Sequence, residues 1–151
     1  MNRKVTAMNN VSKFKYVLDD LNLRLAELQK DAKQNEGMIW VPSIIRIKFF
    51  SLKRLCDTAG LGEGARVLDD ANKFLGYIEE NGNRVDSIGV DLLRRTFDYI
   101  RESFYSPDHQ GSGLTGIAEE YRSLIAQYNQ GSENARPKQR RNLLTELVMG
   151  L

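Results

Sequence analysis

The sequence has one cysteine, one histidine and three prolines among 151 residues, and these scarcities exclude several classes of protein. The single cysteine, Cys56, can form no internal disulfide and no cysteine-rich metal site. The single histidine, His109, cannot supply the paired-histidine spacing of zinc enzymes. No apolar run approaches the roughly 20 residues that span a bilayer, and the first residues lack the apolar stretch of a secretory signal. We therefore expect a cytoplasmic protein with no membrane span, metal or cofactor.

Most of the chain also has no net charge. The net charge is +2, and residues 131–151 account for all of it, with four basic side chains against two acidic ones. Residues 1–130 are neutral overall and have no general attraction for a phosphate backbone, so nucleic acid is an unlikely partner. The length and the 41% hydrophobic content suit one globular domain with its own core.

Apolar residues recur at a spacing of three and four in five segments, whereas no segment alternates with period two long enough for a sheet. Breaks separate the segments at Pro42-Ser43, Gly60 to Gly62, Asn81-Gly82-Asn83, residues 106–113 and residues 131–137. Long helices with short connections are typical of antiparallel neighbours. We predict an all-α, up-down antiparallel bundle of four to five helices over residues 1–130. A linker and a short C-terminal amphipathic helix would follow over residues 131–151.

The second segment carries an aromatic residue on the wrong side of its helix. At 100° per residue its apolar stripe consists of Ile45, Phe49, Leu52, Cys56 and Ala59. Phe50 falls about 140° from the start of that stripe. Its neighbours there are Arg46, Lys53, Arg54 and Asp57. An exposed aromatic with a polar rim is typical of an interface hot spot. A single exposed apolar residue is also common, and the N-terminal segment or the tail could cover it.

The order Phe50-Ser51-Leu52-Lys53, with Gly60 ten residues after Phe50, resembles the motif of histidine phosphotransfer (HPt) domains. It is similar in particular to the N-terminal phosphotransfer domain of chemotaxis histidine kinases. In those families a phosphorylated histidine opens the motif on one helix of a four-helix bundle, and a lysine corresponding to Lys53 helps to hold the phosphate. The resemblance extends loosely from about Ser43 to Phe104.

This chain departs from the family at two positions of the motif. Phe50 stands where the family has its histidine, and a benzene ring has no nitrogen to accept a phosphoryl group. Arg54 stands where the family has a small glycine. The resemblance therefore implies a non-catalytic signalling protein. Its partner would be a response-regulator receiver domain or a histidine kinase, bound through Phe50, Arg46, Lys53, Arg54 and Asp57.

Two other functions remain open. The chain could be a structural or assembly bundle that self-associates or acts as an adaptor, with the motif match accidental. A more distant alternative is phosphate transfer through His109, which lies in a loop rich in helix breakers and reads as an ordinary exposed residue. No catalytic set is evident. The acidic pairs such as Asp19-Asp20 lie opposite the apolar seams, and Gly60, Gly62 and Gly64 follow a helix rather than a strand.

Two further features receive structural interpretations. Trp40 precedes Pro42 in a predicted loop, where a tryptophan most often plugs the end of a bundle, and a role at an interface is the alternative. The C-terminal segment combines a basic start with apolar residues at helical spacing, and it could dock on its own bundle, on a partner groove or on an anionic surface. Its candidate contact residues are Arg140, Arg141, Leu143, Leu144 and Leu147.

Overall fold

The structure, a computed structural model, describes residues 2–105 and 116–130, with side chains from Lys13 onward. Its helices are α1 (Asn2–Gln34), α2 (Ser43–Thr58), α3 (Gly62–Glu80), α4 (Ser87–Tyr105) and α5 (117–130). Two short strands, β1 (Ile39–Trp40) and β2 (Arg84–Val85), lie between helices. The predicted all-α bundle is confirmed. The predicted C-terminal helix and the loop containing His109 lie outside the described residues.

The first four helices form a closed ring in which each packs against its neighbours in sequence. α1 contacts α2 and α4, and α3 likewise contacts α2 and α4. The Phe14 and Phe104 rings stack with centroids 4.1 Å apart, which joins the early part of α1 to the end of α4. Lys53, late in α2, is paired with Asp69, early in α3. Both contacts are those of antiparallel helices, as predicted.

The core is built from the apolar seams that the periodicity predicts. Fully or almost fully buried side chains include Phe14, Leu18, Leu21, Leu25, Phe49, Leu52, Cys56, Leu68, Ala71, Phe74, Leu93, Phe97, Ile100 and Tyr121. Ala59 is an exception, because it caps the end of α2 and is exposed. None of the described helices is long and apolar enough to cross a bilayer.

Helix ends fall at the predicted breaks. Gly60 adopts φ +75° after α2, and Gly82 and Asn83 adopt φ +97° and +58° between α3 and β2. These angles lie in the left-handed region, which glycine and asparagine tolerate better than other residues. Asp86 caps α4, since its Oδ1 accepts a hydrogen bond of 2.9 Å from the Gly89 N–H.

A small β-ribbon, which the sequence does not predict, closes one end of the bundle. β1 and β2 pair antiparallel, with Ile39 opposite Val85 and Trp40 opposite Arg84. Strands of two residues are too short to produce a period-two pattern. The interpretation of Trp40 as a buried plug is wrong, because its side chain is 61% exposed. Ile39 and Val85 lie on the opposite face of the ribbon from Trp40, and their side chains are buried.

Helix α5 packs on α3 and α4. The buried Tyr121 hydroxyl lies 2.6 Å from Thr96 Oγ1 and 3.1 Å from the Leu92 carbonyl oxygen, and its ring contacts Phe74. On the surface, the Arg95 guanidinium binds both carboxylate oxygens of Glu120, at 2.9 and 3.2 Å. The fifth predicted seam is therefore part of the same core.

The thiol of Cys56 and the phenol of Tyr121 are buried in their protonated forms, and we therefore expect the fold to lose stability at alkaline pH. Burial raises the pKa of the Cys56 thiol from 9.0 to about 12, and burial also raises the pKa of the Tyr121 phenol above its ordinary 10.0. The unfolded chain ionises at the ordinary values while the folded chain keeps both protons. The contribution of these two groups to stability is therefore constant below about pH 8 and falls at higher pH, by up to about 1.4 kcal/mol per pH unit for each ionising group.

Urea unfolding from pH 7 to 11 measures this slope, and thiol labelling at pH 8 provides a second check. Native Cys56 should react with a disulfide reagent only at the rate at which the fold opens, because the thiol is buried and protonated. Labelling of the native chain as fast as that of the urea-unfolded chain would contradict the prediction.

Candidate functional site

The outer face of α2 presents Phe50 to solvent. Its side chain is 52% exposed, whereas Phe49, immediately before it, is completely buried. α2 packs against α1 on one side and α3 on the other. The 100° step between successive residues therefore turns Phe49 into the core and Phe50 outward. The outward orientation expected from the sequence is confirmed.

Ile47 extends this exposed apolar surface. It lies three residues before Phe50, one turn along the same helix, and is 58% exposed. Residues at this spacing are neighbours on a helix surface. The sequence motif begins at Phe50 and therefore does not include Ile47. The same helical wheel places Ile47 about 60° from Phe50, on the outer face.

A groove of about 420 Å³ runs between α2 and α3 beside Phe50, and we call it the Phe50 groove. Arg46, Phe50 and Lys53 line it from α2. The lining residues from α3 are Asp69, Asn72, Lys73, Gly76, Tyr77 and Glu80. Three of the five residues that the sequence assigned to partner binding are therefore together in one groove.

The cations of the Phe50 groove are paired with carboxylates of α3. Arg46 donates a hydrogen bond to Glu79, and Lys53 Nζ lies 3.3 Å from Asp69 Oδ1. The Arg46 guanidinium also lies over Gly76, where an added Cβ would be 3.3 Å from its Nη2. The groove is thus close to neutral, with the Phe50 ring as its main exposed apolar group.

Arg54 and Asp57 do not join this groove. Arg54 lines a second groove of about 570 Å³, which lies between α1 and α2 and which we call the α1–α2 groove. Its other lining residues are Lys13, Tyr16, Val17, Ser51, Leu55 and Thr58. Asp57 is exposed and lines neither groove. The predicted set of five residues is therefore divided between two sides of α2.

The other residues that the sequence singled out, His109 and the tail residues, lie outside the described part of the chain. Residues 2–105 and 116–130 contain no histidine, and no three metal-ligating side chains cluster among the described residues. The tail residues Arg140, Arg141, Leu143, Leu144 and Leu147 lie outside the described residues, so their predicted contacts stay predictions.

Comparisons with protein-family models, with curated proteins and with solved structures found no match to this chain. The geometry of the two grooves and the exposed face of α2 are therefore the basis for a functional proposal.

Proposed function

We propose that this chain is a non-catalytic binding protein whose partner docks on the outer face of α2, centred on Phe50. The observation that carries the proposal is the 52% exposure of this aromatic ring in the middle of a packed helix. Ile47 adjoins it and is equally exposed. Removing one such side chain from water contributes about 1.5–3 kcal/mol, and aromatic anchors dominate the energetics of most interfaces.

The finer proposal is that the partner is a receiver domain or a histidine kinase of a two-component system. The motif from Phe50 to Lys53 supports it, because in HPt domains this position holds a histidine that must be exposed to reach its partner. Phe50 occupies an exposed position on a four-helix ring, as that role requires. Replacing a reactive imidazole by phenylalanine turns a phosphoryl carrier into an apolar anchor that could occupy a partner surface without reacting.

The paired charges limit how such a partner is recognised. Arg46 and Lys53 already have carboxylate partners on α3, at exposed or partly exposed positions. A docking partner therefore gains little from adding a carboxylate to either cation. Recognition at this face should depend on apolar burial and should weaken little when salt is added.

Phe50→Ala should lower partner affinity by about 2 kcal/mol or more, a loss of about thirtyfold, because the substitution removes the central anchor. Pull-down from a native lysate followed by titration of the recovered receiver domain or kinase measures the change. Tyr105→Ala is the matched control, since Tyr105 is an exposed aromatic on α4, away from α2. Equal recovery of every partner by wild type and Phe50→Ala would defeat the proposal.

Self-association is the second candidate function, and the exposure of Met38 and Trp40 at the β-ribbon end of the bundle favours it. Light scattering of the wild-type chain distinguishes the two functions, because a strict monomer at high concentration argues against assembly.

Phosphate transfer through His109, the more distant alternative, is tested by incubation with a phosphorylated receiver domain. Acid-labile phosphate on His109 would establish transfer, whereas an unlabelled chain agrees with the binding proposal.

A further inference from the structure

The α1–α2 groove differs from the Phe50 groove in its charges. The charged residues that line it are Lys13 and Arg54, and both are basic. Among the described side chains, neither makes an ion pair within 4 Å. Within the part of the chain that the structure describes, no carboxylate is paired with either cation.

The sequence around the groove explains why these charges are not neutralised. Residues 1–18 contain four basic residues and no acidic one. Asp20, one turn beyond Tyr16, is already engaged, with Arg24 Nε at 2.9 Å and Lys48 Nζ at 3.4 Å. Lys48 Nζ also lies 5.3 Å from the centre of the Tyr16 ring and adds positive charge beside the groove. This side of the bundle is therefore locally basic on a domain that is neutral overall.

Part of the groove wall is apolar. Val17 from α1 and Leu55 from α2 are partly buried and pack against the core, while Tyr16 stands largely exposed at the edge. On the α2 side, the Thr58 hydroxyl donates a hydrogen bond of 2.9 Å to the Arg54 carbonyl oxygen, so it is held within its own helix. The groove thus combines apolar surface with two cations that make no ion pair with any described side chain.

We propose that the α1–α2 groove is a docking surface for an acidic amphipathic segment of a partner protein. Apolar side chains of that segment would cover Val17, Leu55 and Tyr16, and its Asp or Glu carboxylates would pair with Lys13 and Arg54. Charge complementarity commits the proposal to an acidic partner. A nucleic acid would supply negative charge but no aliphatic side chains for the apolar walls, so a protein segment fits better.

The proposal does not depend on the Phe50 groove, because the two grooves lie between different pairs of helices and share no lining residue. It also argues against the C-terminal tail of the same chain as the occupant. That tail carries four basic residues within 136–141 and one acidic residue near its leucines, so the two cations of the groove would repel its basic start.

Selection from a random peptide library displayed on phage, with the full chain as target at low salt, tests the proposal. The enriched peptides should combine Asp or Glu with Leu, Phe or Trp. One enriched peptide is then synthesised with a fluorescent label and titrated by anisotropy. Lys13→Glu and Arg54→Glu should each raise its Kd about tenfold or more, because a charge that pairs with the peptide becomes one that repels it. Arg54→Gln should have a smaller effect in the same direction.

Lys30→Glu is the matched control, since it makes the same charge change on an exposed position of α1 outside the groove. Its Kd should stay within twofold of wild type, and thermal melting confirms that each variant is folded. The peptide titration contains no partner of the Phe50 groove, so a failure of the Phe50 proposal would not affect this result. Raising the salt concentration should weaken peptide binding.

Several outcomes would overturn the proposal. They are the absence of enriched peptides, a consensus without acidic residues, and equal peptide affinity for wild type and Arg54→Glu. A duplex oligonucleotide or a phosphatidylserine vesicle that competes away the peptide and binds more tightly would assign the groove to a different class of partner.

Discussion

Gly89→Ala is expected to lower the free energy of unfolding by about 2 kcal/mol or more, because a buried position has no room for a methyl group. A Cβ on Gly89 would lie 2.1 Å from Val85 Cγ2, and 3.1 Å from both Phe74 Cζ and the Tyr128 hydroxyl. Val85 is fully buried and β-branched, so it cannot swing aside into solvent. The gain in helix propensity from alanine, about 1 kcal/mol, offsets only part of this cost.

Gly76→Ala is the control, since it makes the same change inside α3. There the added Cβ would meet only the end of the Arg46 side chain, at 3.3 Å, and that flexible group can move. Gly76→Ala should therefore be as stable as wild type or more stable. Urea unfolding at pH 7 compares the three chains. A Gly89→Ala midpoint equal to that of wild type would show that β2 does not pack against α4 as described.

Phe49→Ala should cost about 3–5 kcal/mol of folding stability, whereas Phe50→Ala should cost about 0.5 kcal/mol or less. Phe49 is completely buried, and its removal leaves a cavity in the core. Phe50 is about half exposed, so its removal leaves none. A domain of this size has about 5–15 kcal/mol in total, and Phe49→Ala could remove much of it.

The two variants have identical compositions, so any difference in their urea midpoints comes from position alone. The pair also tests the candidate site, because a large cost for Phe50→Ala would mean that the ring is packed against the bundle. In that case the loss of a partner could not be separated from loss of folding. Equal midpoints for the two variants would contradict the orientation of α2.

The contrast between Phe49 and Phe50 could be predicted from the sequence because it depends only on local geometry. A step of 100° fixes which residues of one helix share a face. The buried stripe of α2 and the exposure of Phe50 follow from that step. Ile47 could have been found by the same reasoning, since it lies on the same outer face.

Contacts between helices could not be predicted in this way. Whether Lys53 meets a carboxylate depends on how far α3 is rotated about its own axis and on its offset along α2. The apolar periodicity of a helix determines neither its rotation relative to a neighbouring helix nor its offset along that helix. The sequence therefore predicted that Arg46, Lys53 and Arg54 surround Phe50. In the structure, Lys53 is paired with Asp69 of α3, and Arg54 lines the α1–α2 groove.

The β-ribbon shows a second limit. Ile39 and Trp40 are too few to form a pattern, and their pairing with β2 requires a partner more than forty residues away. A strand reverses its side chains at each residue, so one of the two had to face the core. The bundle buries the smaller Ile39 and leaves the larger Trp40 outside.

The two tyrosine hydroxyl groups of α5 restrict the position of that helix along its own axis. Tyr121 and Tyr128 are two turns apart, and their hydroxyls reach Thr96 within α4 and Asp86 at its N-terminal cap. Purely apolar contacts would let α5 slide by a turn at modest cost. Here a slide would remove the partners of the buried Tyr121 hydroxyl and of the partly buried Tyr128 hydroxyl. The two hydrogen bonds thus fix the axial position of α5, whereas apolar packing stabilises its attachment to the bundle.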